Sequence, residues 1–401
     1  MNAFLSLCFV VLTASAAAAQ TSATIAGTAS DTSGGALPGV TLALRNTATG
    51  LARATTSTPD GRFIFAGIPA GTYELRAELA GFRPVVRQNL VVTVAQSLSV
   101  PLVMDVGGVE QAVTVSGAAS GVNTATSELS FLVGEQAIET LPLNGRNFTD
   151  LALLQPGVLA YPSRDGGSVV AHGLGMSING QDYRSNVYLL DGTLQNDFTN
   201  GPAGSAAGTA LGMEAIREFR VESNAYSAEF GRNYGGQINV LTKSGTNTTR
   251  GSVFEFHRND ALDARNYFDV AGKPDFTRNQ YGASLGGALQ QDRLFYFGAY
   301  EGLRERLGKT ISSFVPDADA RRGILPDGPV TITDAIRPYL AAIPLPNGPS
   351  IGSGLAPHAF GFEQKLDETF LQGRGDYQAG AAHQLFARYT HDDGEQRLPT
   401  D

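Results

Sequence analysis

Residues 226–246 read YSAEFGRNYGGQINVLTKSGT. The adjacent Gly235 and Gly236 let the backbone turn sharply or approach another element closely. After them, Ile238 and Val240 alternate with Asn239 and Leu241, the period of a half-buried strand. Thr242-Lys243-Ser244-Gly245 stops the run. Taken alone, the stretch specifies a turn that feeds a strand. Which sheet that strand joins must come from the rest of the chain.

The 401 residues are enough for two or three domains. Glycine is frequent at 48, only 17% of residues are charged, and Trp is absent. With many Thr, Ser and Val, that balance favours β-structure over helical bundles. A net charge of −9 argues against a nucleic-acid role, which needs a basic face. Cys8 is the only cysteine, which excludes disulfides and thiolate metal sites in a mature chain. Residues 1–19 read as a secretory signal: Phe4 to Leu12 is apolar, and Ala17-Ala18-Ala19 offers a cleavage site before Gln20. No Lys or Arg precedes the apolar core, and Cys8 lies inside it, so a lipobox reading of Leu5-Ser6-Leu7-Cys8 is poor.

Catalytic motifs fail. Gly302 to Thr310 imitates a P-loop but has five residues between its glycines where phosphate wrapping needs four. Gly175-Met176-Ser177-Ile178-Asn179 lacks the second Gly of a Gly-x-Ser-x-Gly elbow. His172, His257, His358, His383 and His391 have no metal-ligand spacing. The expectation is no enzyme, no cofactor and no metal. A secreted enzyme carrying a regulatory module is the weakest reading.

From Ala23 to Met104, short strands alternate apolar and polar residues: Val40, Leu42 and Leu44, then Phe63 and Phe65, then Tyr73, Leu75, Ala77 and Leu79, then Leu98, Val100, Leu102 and Met104. Pro38-Gly39, Pro59-Asp60-Gly61 and Ala70-Gly71 supply the turns. The words ALPGVTLAL (36–44), TPDGRFIF (58–65) and IPAGTYELRAELAGF (68–82) resemble the carboxypeptidase regulatory-like domain. The resemblance implies a seven-strand, transthyretin-type sandwich over 20–106, often classed with carbohydrate-binding-like folds, without catalysis. Phe63, Phe65 and Tyr73 fall on the inward face and read as core, not as a sugar platform.

Next comes a possible hairpin signature. Ser177-Ile178-Asn179-Gly180-Gln181 precedes Asn186-Val187-Tyr188-Leu189-Leu190-Asp191-Gly192, and Asn-Gly and Asp-Gly supply positive-φ turns. Two short helices are expected at Gln136–Leu141 and Asn147–Leu154, and a helix then strand at Met213–Val221. In this order, and ending in GGQINVLTK, these blocks resemble the plug of TonB-dependent outer-membrane receptors. The resemblance assigns 128–245 to the plug, with Asn179, Gly180, Asp191, Gly192, Gly235, Gly236, Asn239 and Lys243 as its structural motif. In plugs, outward loops help form the substrate site. In the polar loop 192–210, Asn196, Asp197, Phe198 and Asn200 are the corresponding ligand-contact candidates, although an ordinary loop explains them too.

In the same family a short extended segment before the plug pairs with a strand of the TonB energy-transducing protein. In the linker 107–127, Val109-Glu110-Gln111-Ala112-Val113-Thr114-Val115 fits that role. Strand addition makes loose demands on sequence, and the same residues fit a last sandwich strand or a plain linker.

Beyond 246 the strands are amphipathic: 250–258, 279–290, 293–301 and 383–390. One apolar face and one mixed face is the outer-membrane barrel pattern. Segments 276–304 and 383–393 resemble the Oar-type branch, whose members also carry the N-terminal sandwich. Asp317 to Gly361, rich in Pro and Gly, reads as an extracellular loop with a short helix at 333–342. About five strands fit, fewer than a closed barrel in lipid requires, so the chain reads as the N-terminal part of a longer receptor.

The expected fold is mainly β: sandwich, then α+β plug, then the first strands of an incomplete transmembrane barrel. The expected function is energised uptake of a scarce solute, a small molecule, peptide or oligosaccharide, with TonB and outer-membrane lipid as partners and the sandwich and coupling segment periplasmic. The alternative is a surface protein that binds carbohydrate or protein through its sandwich.

Overall fold

The computed structural model describes residues 22–107, 113–116, 129–141, 143, 146–161, 173–197, 199–205, 211–224, 234–264, 273–380 and 383–398. By compactness the chain divides into one unit of 1–253, 282–301 and 370–392, and a second of 254–281, 302–369 and 393–401.

The first unit opens with an N-terminal module of two sheets. Strands β1 (Ala23–Asp31), β4 (Arg62–Ile68), β7 (Ser97–Ser99) and β8 (Leu102–Met104) form one; β2 (Thr41–Asn46), β3 (Ala52–Thr56), β5 (Gly71–Glu78), β6 (Val85–Val92) and β9 (Val113–Ser116) form the other. The second sheet runs in the order β3-β2-β5-β6-β9. The inward residues of both sheets share one core. It contains Leu42, Leu44, Phe63, Phe65, Tyr73 and Leu75, all under 5% exposed. The aromatics are therefore interior, as their alternation predicts. Tyr73 satisfies its buried hydroxyl by donating to the Pro69 carbonyl at 2.7 Å.

A central module follows. Strand β10 (Leu129–Val133) pairs antiparallel with β15 (Ile216–Asn224), β15 with β16 (Gln237–Thr242), and β16 runs parallel to β13 (Val187–Leu190), which turns into β14 (Thr193–Leu194). The hairpin strands β11 (Val158–Ala160) and β12 (Met176–Ile178) stand apart as a pair. Helix α1 (Glu135–Thr140) and the turn Phe148–Leu154 cover one sheet face. The second of these is a 3₁₀ helix where an ordinary helix was expected; Asn147 caps it by accepting from the Thr149 amide at 3.1 Å.

The strand alternation sorts β15. Phe219 and Val221 enter the apolar core with Ile238 and Val240 of β16. Glu218, Arg220 and Glu222 lie on the opposite face with Gln237 and Asn239, and all five are buried.

The third sheet has five strands in chain order: β17 (Arg250–Asn259), β18 (Phe276–Gln290), β19 (Leu294–Pro316), β22 (Leu355–Gln378) and β23 (Gln384–Arg397). β19 spans 23 residues and β22 spans 24, much longer than the alternating runs legible in sequence. The connection expected to run to Gly361 thus ends at Leu355. In the second unit that connection holds the small hairpin β20 (Ile324–Leu325) and β21 (Gly328–Pro329) and helix α2, which begins at Arg337 and ends at Ala342, not at 333. Arg321 fastens it by donating to the carbonyls of Leu340 at 2.7 Å and Ile343 at 2.8 Å.

Candidate functional site

The motif residues of the central module converge on two ends of β16. At its start, Gly235 and Gly236 have ordinary φ and do not make a positive-φ turn. They serve close approach. A Cβ on Gly235 would lie 2.4 Å from Asn186 Oδ1, and one on Gly236 would lie 2.4 Å from the Ile178 side chain. Asn186, fully buried, uses this space: its Oδ1 accepts from the Gly236 amide at 2.8 Å, and its Nδ2 donates to the Met176 carbonyl at 2.7 Å. One side chain thus ties β12, β13 and β16.

The two expected turns are present. Asn179 and Gly180 have φ of 53° and 78°, and Asp191 and Gly192 have 47° and 83°. Asp191 does more than turn the chain. It is 6% exposed and accepts from the Thr242 amide at 2.9 Å and hydroxyl at 2.8 Å. Arg374 lies 3.2 Å from one of its oxygens, and Arg388 donates to the other. Arg374 also binds Thr242 Oγ1 at 2.7 Å and Asp376 at 2.8 and 2.9 Å, and packs over the Phe386 ring at 4.6 Å. A buried carboxylate facing two guanidiniums is charge-compensated and orients β13, β16, β22 and β23 about one point.

Asn239, fully buried, donates to Glu222 at 2.9 Å. Lys243 binds Glu139 at 2.9 Å and Glu135 at 3.1 Å, anchoring α1. Burial disfavours the Lys243 ammonium, but the hydrogen bond to Glu139 and both carboxylate charges outweigh it, so its pKa is raised.

The ligand-contact candidates are structural in their bonding. Asn196 accepts from the Tyr188 amide at 2.9 Å and donates to the Asn186 carbonyl at 2.9 Å. Asp197 Oδ1 accepts from the amides of Thr199 at 2.7 Å and Gly201 at 2.9 Å. Asn200 has φ of 65° and donates to the Arg184 carbonyl. Phe198 lies outside the described residues, as do Val109, Glu110, Gln111 and Ala112. Val113, Thr114 and Val115 form β9 with Ser116. That strand runs parallel to β6, with Val85 opposite Val113 and Gln88 opposite Ser116.

Sequence reasoning did not find the junction between the N-terminal and central modules. Glu218 Oε1 accepts from the Val94 amide at 2.6 Å, Arg220 donates to Thr93 Oγ1 at 2.8 Å, and Arg217 donates to the Ala70 carbonyl at 3.1 Å. Burial raises the Glu218 pKa, and the nearby Arg217 charge and the Val94 amide only partly oppose it. The signal available was three ionisable residues within four positions on a strand whose other face is apolar. Arg374 and Arg388 were also missed. They lie 132 and 197 positions from the groups they bind, with no local pattern linking them.

A family profile described as outer membrane beta barrel domain matches residues 241–401, and one described as carboxypeptidase regulatory-like domain matches 24–105. The chain is 28% identical over 293 residues to the TonB-dependent transporter Oar of Myxococcus xanthus. The chain is a homologue of that transporter and carries a barrel domain and a carboxypeptidase regulatory-like domain. That match covers 69% of this chain and 26% of the Oar protein, so the chain spans about a quarter of its relative's length. Among solved structures it is similar to the siderophore receptor PirA of Acinetobacter baumannii, at 18% identity, covering 67% of this chain and 32% of that one, with a TM-score of 0.40. It is also similar to the ferric enterobactin receptor PfeA of Pseudomonas aeruginosa, at 14% identity, covering 67% and 33%, with a TM-score of 0.39. The barrel-domain profile and the transporter homologue place this chain in the outer membrane of a Gram-negative bacterium.

Proposed function

We propose that the intact protein takes up a scarce extracellular solute across the outer membrane, energised through TonB. On this reading 20–106 is a periplasmic sandwich, 107–127 holds the coupling segment, 128–245 is the plug, and 246–401 is the start of the barrel. The observation that carries it is the Asp191 cluster. A turn of the proposed plug is tied by Asp191 to Arg374 and Arg388, two residues in the region matched by the barrel profile.

The solute is left as a class: ferric siderophore, cobalamin, oligosaccharide or oligopeptide. A surface-binding role for the sandwich gains no support, because Phe63, Phe65 and Tyr73 are interior. The test is uptake of that four-member panel by cells carrying the full-length protein, with and without an uncoupler of the proton gradient. Uncoupler-sensitive uptake of at least one compound is expected, and deletion of 109–116 should abolish it. Uptake of none, or uptake at the undiminished rate after the deletion, would overturn the reading.

A further inference from the structure

The turn 46–51 of the N-terminal module is shaped from within. Asn46 is 4% exposed. Its Oδ1 accepts from the amides of Ala48 at 2.9 Å and Thr49 at 3.0 Å, and its carbonyl accepts from the Gly50 amide at 3.0 Å. The Ala48 carbonyl in this turn accepts from the Asn247 amide at 2.9 Å. Asn247 in turn clasps the tight connection between β18 and β19. Its Nδ2 donates to Asp292 Oδ1 at 2.6 Å, and its Oδ1 accepts from the Asp292 amide at 2.8 Å. Gly50 lies against the same carboxylate. A Cβ there would stand 1.9 Å from Asp292 Oδ1, and the φ of 69° is one that glycine adopts freely.

Two other turns of the module seat on β15: Ala70 accepts from Arg217, and Thr93 and Val94 bond Arg220 and Glu218. Inside the module the attachments are linked. Thr47 donates to the Thr72 carbonyl through its amide at 2.9 Å and its hydroxyl at 3.1 Å. Gln96 Oε1 accepts from the Thr93 amide at 2.9 Å and hydroxyl at 3.0 Å. β5 and β6 join the two regions, with Gly71 opposite Val92. Beneath them Tyr73, Leu75, Leu90 and Val92 are each 2% exposed or less. An interior packed this closely transmits a displacement and does not absorb it.

We infer that the N-terminal module is a strap between β15 and the β18–β19 turn: how firmly one end is held sets how firmly the other is held. This gives the module a coupling function of its own. It goes beyond the transport reading, and no solute enters its test. The two ends differ in strength. Val94, Glu218 and Arg220 are buried at the β15 end. Ala48 and Asp292 are exposed, so water can take over their hydrogen bonds at the hairpin end. The hairpin end is therefore the one that yields, and the β15 end the one that responds.

Coupling between two sites is reciprocal, so the strap is testable from both ends. Hydrogen exchange read by mass spectrometry on the full-length protein in detergent reports local opening at each. Asp292→Ala frees the hairpin end, and the peptide carrying the Val94 amide should then exchange about 3-fold faster or more. Glu218→Ala frees the β15 end, and the peptide carrying the Asn247 amide should speed up by a similar factor. β16 is the control, because it pairs with β15 and leads along the chain to Asn247, a route that bypasses the module. In Asp292→Ala its peptides should stay within about 1.5-fold of the natural protein. Acceleration confined to each variant's own end, or acceleration of β16 equal to that at Val94, would overturn the inference. Asp292→Asn keeps the Oδ1 acceptor and should exchange like the natural protein. If it speeds Val94 as Asp292→Ala does, the bond to Asn247 is not the tie and the strap has no hairpin end.

Discussion

Asp191 carries two duties that a sequence motif presents as one. Its φ of 47° makes the turn before Gly192, and its carboxylate gathers Thr242, Arg374 and Arg388. Asp191→Ala would keep most of the turn and leave two guanidiniums facing a buried gap. Removing one partner of a buried ion pair costs about 3–5 kcal/mol. Because Arg374 keeps Asp376, the expected loss is at the lower end, about 3 kcal/mol, read from the urea midpoint. A loss under about 1 kcal/mol would mean the cluster is solvated and not structural. The turn half of this was readable from Asp-Gly. The charge half was not, because nothing local marks which distant arginine will arrive.

At the scale of elements, legibility followed the environment of each strand. In β2 and β5 one face meets the core and the other meets water, so Leu42, Leu44, Tyr73, Leu75 and Ala77 announce themselves by alternation. In β22 the sequence LAPHAFGFEQKLDETFLQGRGDYQ mixes Gly, Pro and charge, and before Gln364 only Ala356 is buried. Its first residues therefore read as loop. β9 was readable as extended, but its partner was not, since a parallel neighbour leaves no turn between the two strands to point at it.

Strand β15 gives the pH prediction at this scale. The folded state holds the Glu218 proton more tightly than the unfolded chain does. That contribution is fully present below the ordinary glutamate value of 4.5 and is lost as pH rises through the raised folded value. The stability of the natural protein should therefore improve relative to Glu218→Gln as pH falls from neutral towards 4.5. Melting temperatures of both proteins across that range are the check. A gap that stays constant would show that Glu218 does not titrate differently on folding.

For the whole molecule, the N-terminal module is not a bead on a string. Thr93, Val94 and Ala70 bond β15, and the Ala48 carbonyl accepts from the Asn247 amide at 2.9 Å. The two modules should accordingly melt as one calorimetric transition. Arg217→Ala, Glu218→Ala and Arg220→Ala together should split it into two, whereas a single unchanged transition in that variant would place the coupling elsewhere.

The same bonds define an axis. The register of β2, β5 and β6 puts the turns holding Ala48, Ala70 and Thr93 at one end of their sheet, side by side. By these bonds alone, a body held along a line keeps one rotation, about that line, and loses the other two. β9 pairs with Val85 to Gln88, at the opposite end of β6. Counted along the strand, that is about 20 Å from the axis. A pull on β9 would then act as torque on a door, with its hinge on β15 and Asn247 and its free edge at Val113–Ser116.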